Sequence, residues 1–251
     1  YERGRLRFWT DPFEINVSNE FHFFTPSDSV QDVTLFAKYT LRADEMFLNR
    51  MIGGTFEGSN DPDFREKEVL YLINEKPKRL QTVVQSYSSK SYRYVRYIGP
   101  KYSHCNIAEA AFYTPNDTAS LKGKVIGTPG CFQKDGSHEY TNVFDGDVTT
   151  SFDYIEPSGG WSGLDLGTPK QIGRIVYTPR SYDNYIRSGD DYELFYCARR
   201  NNWKSLGDQR SKADSLIYIK IPVNALLLLC NNTRGIQERI FVYTAAEQIW
   251  K

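Results

Sequence analysis

The chain has 251 residues, with 31 basic and 31 acidic side chains and a formal net charge of zero. That balance excludes a nucleic-acid binder relying on phosphate neutralisation and a polybasic membrane-surface protein. Composition is ordinary for a globular chain, 40% apolar and 25% charged, and the longest strongly apolar stretch, Ala225 to Cys230, is far below the roughly twenty residues of a bilayer span. The chain opens Tyr-Glu-Arg-Gly-Arg, without an initiator Met or an apolar leader, and is expected to be a mature or excised piece in which an export signal would not be visible. In chain order, short runs of alternating apolar residues predict strands. These are Val33–Tyr39, Tyr92–Tyr97, Ile172–Tyr177, Tyr192–Tyr196 and Arg239–Tyr243. Turn residues separate them, as in Ser59-Asn-Asp-Pro62, Asp145-Gly-Asp147, Pro157-Ser-Gly-Gly160 and Ser188-Gly-Asp-Asp191. Only Asn106–Ala111 offers a short helical alternative. Eighteen Tyr and 15 Phe beside 2 Met suit pleated, half-buried surfaces, so the expected class is all-β, a sandwich or barrel of short strands.

A domain count of two comes from a weak internal repeat. Phe24–Phe36 lies against Gly167–Tyr177, and Phe47–Phe64 lies against Tyr185–Trp203. Tyr94–Tyr97 matches the apolar strand before Cys230, and Ala110–Tyr113 matches Ile240–Tyr243. The matches keep one order and similar spacing. They predict one sandwich over residues 1–116, a second over 121–251, and a join near Pro115 to Lys122.

No nucleophile elbow, zincin helix, P-loop or dinucleotide fingerprint is present. His22, His104 and His138 are far apart, and Cys105, although flanked by His104 and Asn106, does not gain a base merely by adjacency. No catalytic residue is assigned. The four cysteines lack CxxC spacing. Cys131 could pair with Cys197 or Cys230, or all could be small buried apolar residues, the preferred alternative. Sequons stand at Asn16, Asn116 and Asn231.

Binding chemistry is better represented. A sugar presents an apolar C–H face and a rim of hydroxyls, so its site wants an aromatic platform beside planar, multidentate polar groups. The loop Pro179–Arg187 supplies that mixture, with Arg180, Asp183, Asn184 and Arg187 as polar contacts and Tyr182 or Tyr185 as platform. Tyr154 and Arg234 are candidates on two neighbouring loops, and Tyr102 and His104 hold the comparable position in the first copy. Trp161 is expected to pack in the core. The bland alternative for these loops is a set of solvated turns.

The second copy carries three landmarks in order. Thr141–Phe152 contains Asp-Gly-Asp followed by Thr150 and Phe152, Gly160–Gly167 reads Gly-Trp-Ser-Gly-Leu-Asp-Leu-Gly, and Ile172–Tyr177 follows as an apolar strand. These resemble the discoidin (coagulation-factor type C, galactose-binding-like) family over about residues 121–247. The first copy keeps a family-like Asn106–Tyr113 ending but lacks the front landmarks. The resemblance implies an eight-stranded jelly roll that binds glycans, proteins or lipid headgroups through loops at one end. It also implies a structural Ca²⁺ at the Asp-Gly turn, bound by Asp145, Asp147 and Thr150 with Glu238 closing the site near the last strand, while Glu109 takes the closing place in the first copy. Tandem domains of this kind resemble the C-terminal accessory regions of large secreted proteins in glycan-degrading bacteria, so the leading expectation is a non-catalytic carbohydrate-binding accessory region, secreted, periplasmic or at the cell surface, attached to a catalytic domain preceding Tyr1. The alternatives are a spacer or protein-docking module, and a hydrolase.

Overall fold

The computed structural model describes residues 11–38, 47–77 and 79–251. Among them are eighteen strands, every pairing antiparallel, so the all-β class holds. No helix among the described residues is long and apolar enough to cross a membrane. In chain order, β1 (Phe13–Ile15), β2 (Phe21–Phe23) and β3 (Val30–Leu35) come first. Next come β4 (Thr55–Ser59), β5 (Lys67–Leu72), β6 (Thr82–Gln85), β7 (Ser91–Ile98) and β8 (Ile107–Tyr113). Then follow β9 (Lys124–Gly127), β10 (Trp161–Gln171) and β11 (Arg174–Pro179). Last are β12 (Asp191–Ala198), β13 (Asn202–Arg210), β14 (Leu216–Pro222), β15 (Leu227–Asn231), β16 (Ile236–Gln237), β17 (Phe241–Thr244) and β18 (Glu247–Trp250).

The chain divides into two compact units, but not at residues 116–121. One unit is Leu41–Asp183, and the other is Tyr1–Thr40 together with Asn184–Lys251. The first therefore sits as an insertion in the sequence of the second, which corrects the tandem expectation of 1–116 and 121–251. The reason lies in strand pairing. β7 pairs with β10, and β8 pairs with β11, so strands from both expected domains share both sheets of the inserted unit.

That inserted unit is a sandwich. A five-stranded sheet in the order β5-β4-β7-β10-β9 faces a three-stranded sheet β6-β11-β8. Inward residues of the two sheets, among them Phe56, Tyr97 and Leu164 on one side and Ile107, Phe112 and Tyr177 on the other, form one buried cluster. Phe56 is at its centre, with ring centroids 5.1 Å from Tyr97, 5.3 Å from Tyr177 and 6.0 Å from Phe112. Asn106–Ala111, the one helical alternative, enters β8 instead. Its apolar side chains alternate toward this core, and its backbone groups are taken up by β11.

The interrupted unit pairs a six-stranded sheet, β13-β12-β15-β17-β18 with β16 on β15, with the two-stranded β14-β3. Val33, Leu35, Leu216 and Tyr218 from the small sheet pack with Leu194, Leu227, Leu229 and Phe241 from the large one. The halves that the repeat would define are re-sorted in space. β3 and β11 are the matching strands of the two front halves, and each joins the back half belonging to the other copy.

Neither fragment 1–116 nor fragment 121–251 should give a cooperative unfolding transition alone, because each cut strips both sheets of the inserted unit. Circular dichroism melts of the two fragments and the whole chain check this.

Candidate functional site

The register places one set of loops at a single end of the inserted unit. Leu72, Thr55, Ile98, Trp161 and Gly127–Ser162 align at the end of the large sheet, and Thr82, Tyr177 and the Pro179–Ile107 pair align at the end of the small one. The loops that leave these positions carry Tyr102, His104, Tyr154, Arg180, Tyr182 and Asp183.

A buried polar node ties three of those loops together. Asp153 and Arg180 are each 8% exposed, and Arg180 Nη1 donates to Asp153 Oδ2 at 2.6 Å. Nη1 also reaches Asn106 Oδ1 at 3.4 Å, and Nη2 donates to the Tyr182 hydroxyl at 2.7 Å. The guanidinium stands 4.8 Å from the Phe47 ring and 4.5 Å from the Tyr182 ring. Asn106, fully buried, donates to the Ser103 carbonyl and lies 3.4 Å from Asp153 Oδ1. A buried pair of this kind holds geometry, since loss of either partner strands a charge out of water. Arg180 is therefore committed to the frame of the rim instead of reaching into solvent as a ligand contact.

The next loop is held by backbone exchanges. Tyr154 N–H donates to the His104 carbonyl at 2.7 Å, and His104 Nδ1 donates to the Tyr154 carbonyl at 2.9 Å. Tyr154 is half-buried and packs against the core, 5.9 Å from Phe152. Trp161 is half-buried, against Phe64 at 5.8 Å and the Arg96 guanidinium at 5.1 Å. What the node exposes is Tyr102, 78% accessible, and Tyr182, 48% accessible. Four of the five residues Tyr102–Asn106 have left-handed φ, namely 65° at Tyr102, 57° at His104, 71° at Cys105 and 34° at Asn106, and Tyr182 and Asp183 follow at 49° and 66°. Such conformations cost energy in non-glycine residues and persist only where surrounding bonds enforce them.

The remaining candidates belong to the other unit. Asn184 Oδ1 accepts from the Lys38 backbone N–H at 2.9 Å, and Arg187 lies 5.3 Å over the Tyr185 ring. Arg234 Nε donates to Asp190 Oδ2 at 2.7 Å, with Asn231 Nδ2 donating to the same oxygen at 2.9 Å. Burial works against the Asp190 charge, but the bonds from Asn231 and Arg234 outweigh it and hold the carboxyl below its usual value. The chain segment Pro179–Arg187 is thus split between the two units.

Residue order misled the reading of the Asp-Gly turn as well. Its closing carboxylate is Glu109 on β8, whose Oε1 accepts the Gly146 N–H at 2.8 Å, whereas Glu238 lies in the other unit. Asp145 Oδ1 accepts from Asp147 N–H at 2.7 Å, and its Oδ2 accepts from the Thr150 hydroxyl at 2.8 Å. Asp147 Oδ1 turns instead to Thr149, from whose N–H it accepts at 2.9 Å. Burial first, and the bonded Asp145 carboxyl second, push Glu109 up to about 8. No group of three or more His, Cys, Asp or Glu side chains among the described residues is placed to hold a metal, so a cation here would draw on Glu109, Asp145 and nearby carbonyl and hydroxyl oxygens.

Cys105 is buried, and its environment raises the thiol well above its ordinary value, chiefly by burial. All four cysteines are free, and Cys131 lies in a different unit from Cys197 and Cys230.

The reading of the sequence missed a cleft of about 350 Å³ at the same end of the sandwich, where Tyr71 and Tyr177 meet Glu75, Lys76, Arg79 and Gln81. Its signal was the charged run Glu75-Lys-Pro-Lys-Arg79 between two apolar strands. Comparison with protein-family profiles, curated proteins and solved structures finds no match.

Because folded Glu109 titrates above the ordinary 4.5, the folded state holds the extra proton between about 4.5 and about 8. Stability should fall as pH rises through that window, and Glu109→Gln should flatten the slope. Denaturant titrations in chelator across pH 4 to 9 measure both.

Proposed function

We propose that this chain is a non-catalytic carbohydrate-binding region that uses the loop end of its inserted, discoidin-like sandwich. The observation that carries the proposal is the rim itself. Exposed Tyr102 and Tyr182 are presented on loops locked by the Asp153–Arg180–Asn106 node, beside a cleft lined by two further tyrosines. A sugar's C–H face stacks on such rings while its hydroxyls meet neighbouring amides and charges. Rigid presentation lowers the ordering cost of a shallow site. The raised Cys105 thiol suits this reading, since a protonated, buried sulfur is a poor nucleophile.

The discoidin-like assignment gains support from the re-sorted halves. Each expected copy held one part of the implied pattern, the Asp-Gly turn in one and the closing glutamate in the other, and the inserted unit unites them. It would be a permuted member, with the family's back half preceding its front half. We further propose that Glu109 and Asp145 contribute to one structural Ca²⁺. Burial first and the neighbouring Asp145 carboxyl second raise Glu109, and a divalent cation would relieve the second. Secretion, and attachment to a catalytic domain, belong to the same proposal. For the interrupted unit a docking role is favoured instead, because Val30, Ile217 and Ile219 on β3 and β14 are 56%, 62% and 64% exposed.

Titration against a panel of polysaccharides should show weak, saturable binding. Tyr102→Ala and Tyr182→Ala should each lose roughly two- to tenfold, the ~0.5–1.5 kcal/mol of an aromatic contact. Binding to none of the panel would refute the proposal. Ca²⁺ should raise the melting temperature of the parent chain but not of Asp145→Ala, as followed by scanning calorimetry.

A further inference from the structure

The cleft beside the rim has a chemistry of its own. It opens where β5 ends and β6 begins, and its wall includes Tyr71 and the base of β11 at Tyr177. Tyr177 is 2% exposed and its hydroxyl is pushed up to about 12, mainly by burial, so it remains a neutral donor at any physiological pH. The Tyr71 ring in the wall is only half-buried, and it tilts against exposed Tyr87 with centroids 5.3 Å apart.

Charge distinguishes this place from the rest of a net-neutral chain. Lys76 and Arg79 line the cleft with Glu75 as its one carboxylate, and the segment Glu75–Arg79 carries three cations to one anion in sequence. Gln81 and Thr82 add an amide and a hydroxyl. An arginine beside a lysine selects carboxylate over hydroxyl, because the guanidinium fork engages both carboxylate oxygens and a sugar hydroxyl offers no charge to it. The volume, about 350 Å³, stands at the small end of ligand pockets, roughly 300–1,000 Å³, and suits a ring or two of a longer chain passing through.

Resting on the carbohydrate-binding proposal, we propose that this cleft selects acidic polysaccharides, taking a uronate residue with its ring against Tyr71 and its carboxylate between Lys76 and Arg79. The polymer then runs on toward Tyr102 and Tyr182 on the same end of the sandwich.

Affinity electrophoresis and calorimetry of the whole chain against polygalacturonate, with its fully methyl-esterified form as the neutral control, test the assignment. The free acid should bind and the ester should bind at least tenfold more weakly. Adding salt should weaken the first and leave the second unchanged. Lys76→Ala with Arg79→Ala should lower affinity for the acid roughly tenfold or more, as expected for charge-assisted bonds, while its melting curve matches the parent. Tyr71→Ala should weaken acid and ester alike. Equal binding of acid and ester, or a Lys76/Arg79 variant that binds the acid like the parent, would overturn the acidic selectivity while the carbohydrate reading stands. Failure to bind either polymer or any neutral polysaccharide would sink both.

Discussion

Pairing of β7 with β10, and of β8 with β11, is the constraint from which the inserted unit follows. The two pairings commit residues 47–113 and 121–179 to the same two sheets and bring Phe56, Tyr97 and Phe112 against Leu164, Ile175 and Tyr177. Close approach of backbone reinforces it. A Cβ at Gly163 would stand 2.2 Å from the Val95 carbonyl oxygen, so β10 can lie on β7 at that register only with glycine there. With the sheets joined in this way, the loops between Ile98 and Ile107, Gly127 and Trp161, and after Pro179 must gather at one end.

The gathered loops explain why a basic side chain from after β11 ends up in a buried pair. Arg180 meets Asp153 from the loop before β10 and Asn106 from the turn into β8. Desolvating that ion pair yields little net stability but fixes three loops in one arrangement, and the left-handed residues of Tyr102–Asn106 are held in place by it and by the His104–Tyr154 backbone exchange. One loop thereby does two things: Arg180 is buried in the ion pair, and Tyr182 two residues later is 48% exposed.

The same topology accounts for the acidic turn. Glu109 sits one residue after Ala108 on β8, far in sequence from Asp145, yet the β8–β11 sheet carries it to the Gly146 N–H. The proposed cation and the proposed ligand cleft then draw on residues of one sandwich.

Much of this was legible in the residues. Alternating apolar runs at Tyr92–Tyr97, Ile172–Tyr177 and Tyr192–Tyr196 announced β7, β11 and β12 closely, since period-two patterning is local and follows directly from the pleat. The Asp-Gly turn was legible for a like reason, since its bonding residues are neighbours in sequence. Which front half docks on which back half was not, because both copies offer equivalent apolar faces and edge hydrogen bonds. Only side-chain fit across the whole core, such as Phe56 against Tyr177, discriminates between them. That choice puts Glu238, Arg187 and Arg234 in the other unit, sets Glu109 against the Asp-Gly turn, and buries Arg180 in an ion pair. Strand identity is a property of neighbours in sequence; strand partnership is settled by contacts dozens of residues apart, and every functional assignment here descends from the second.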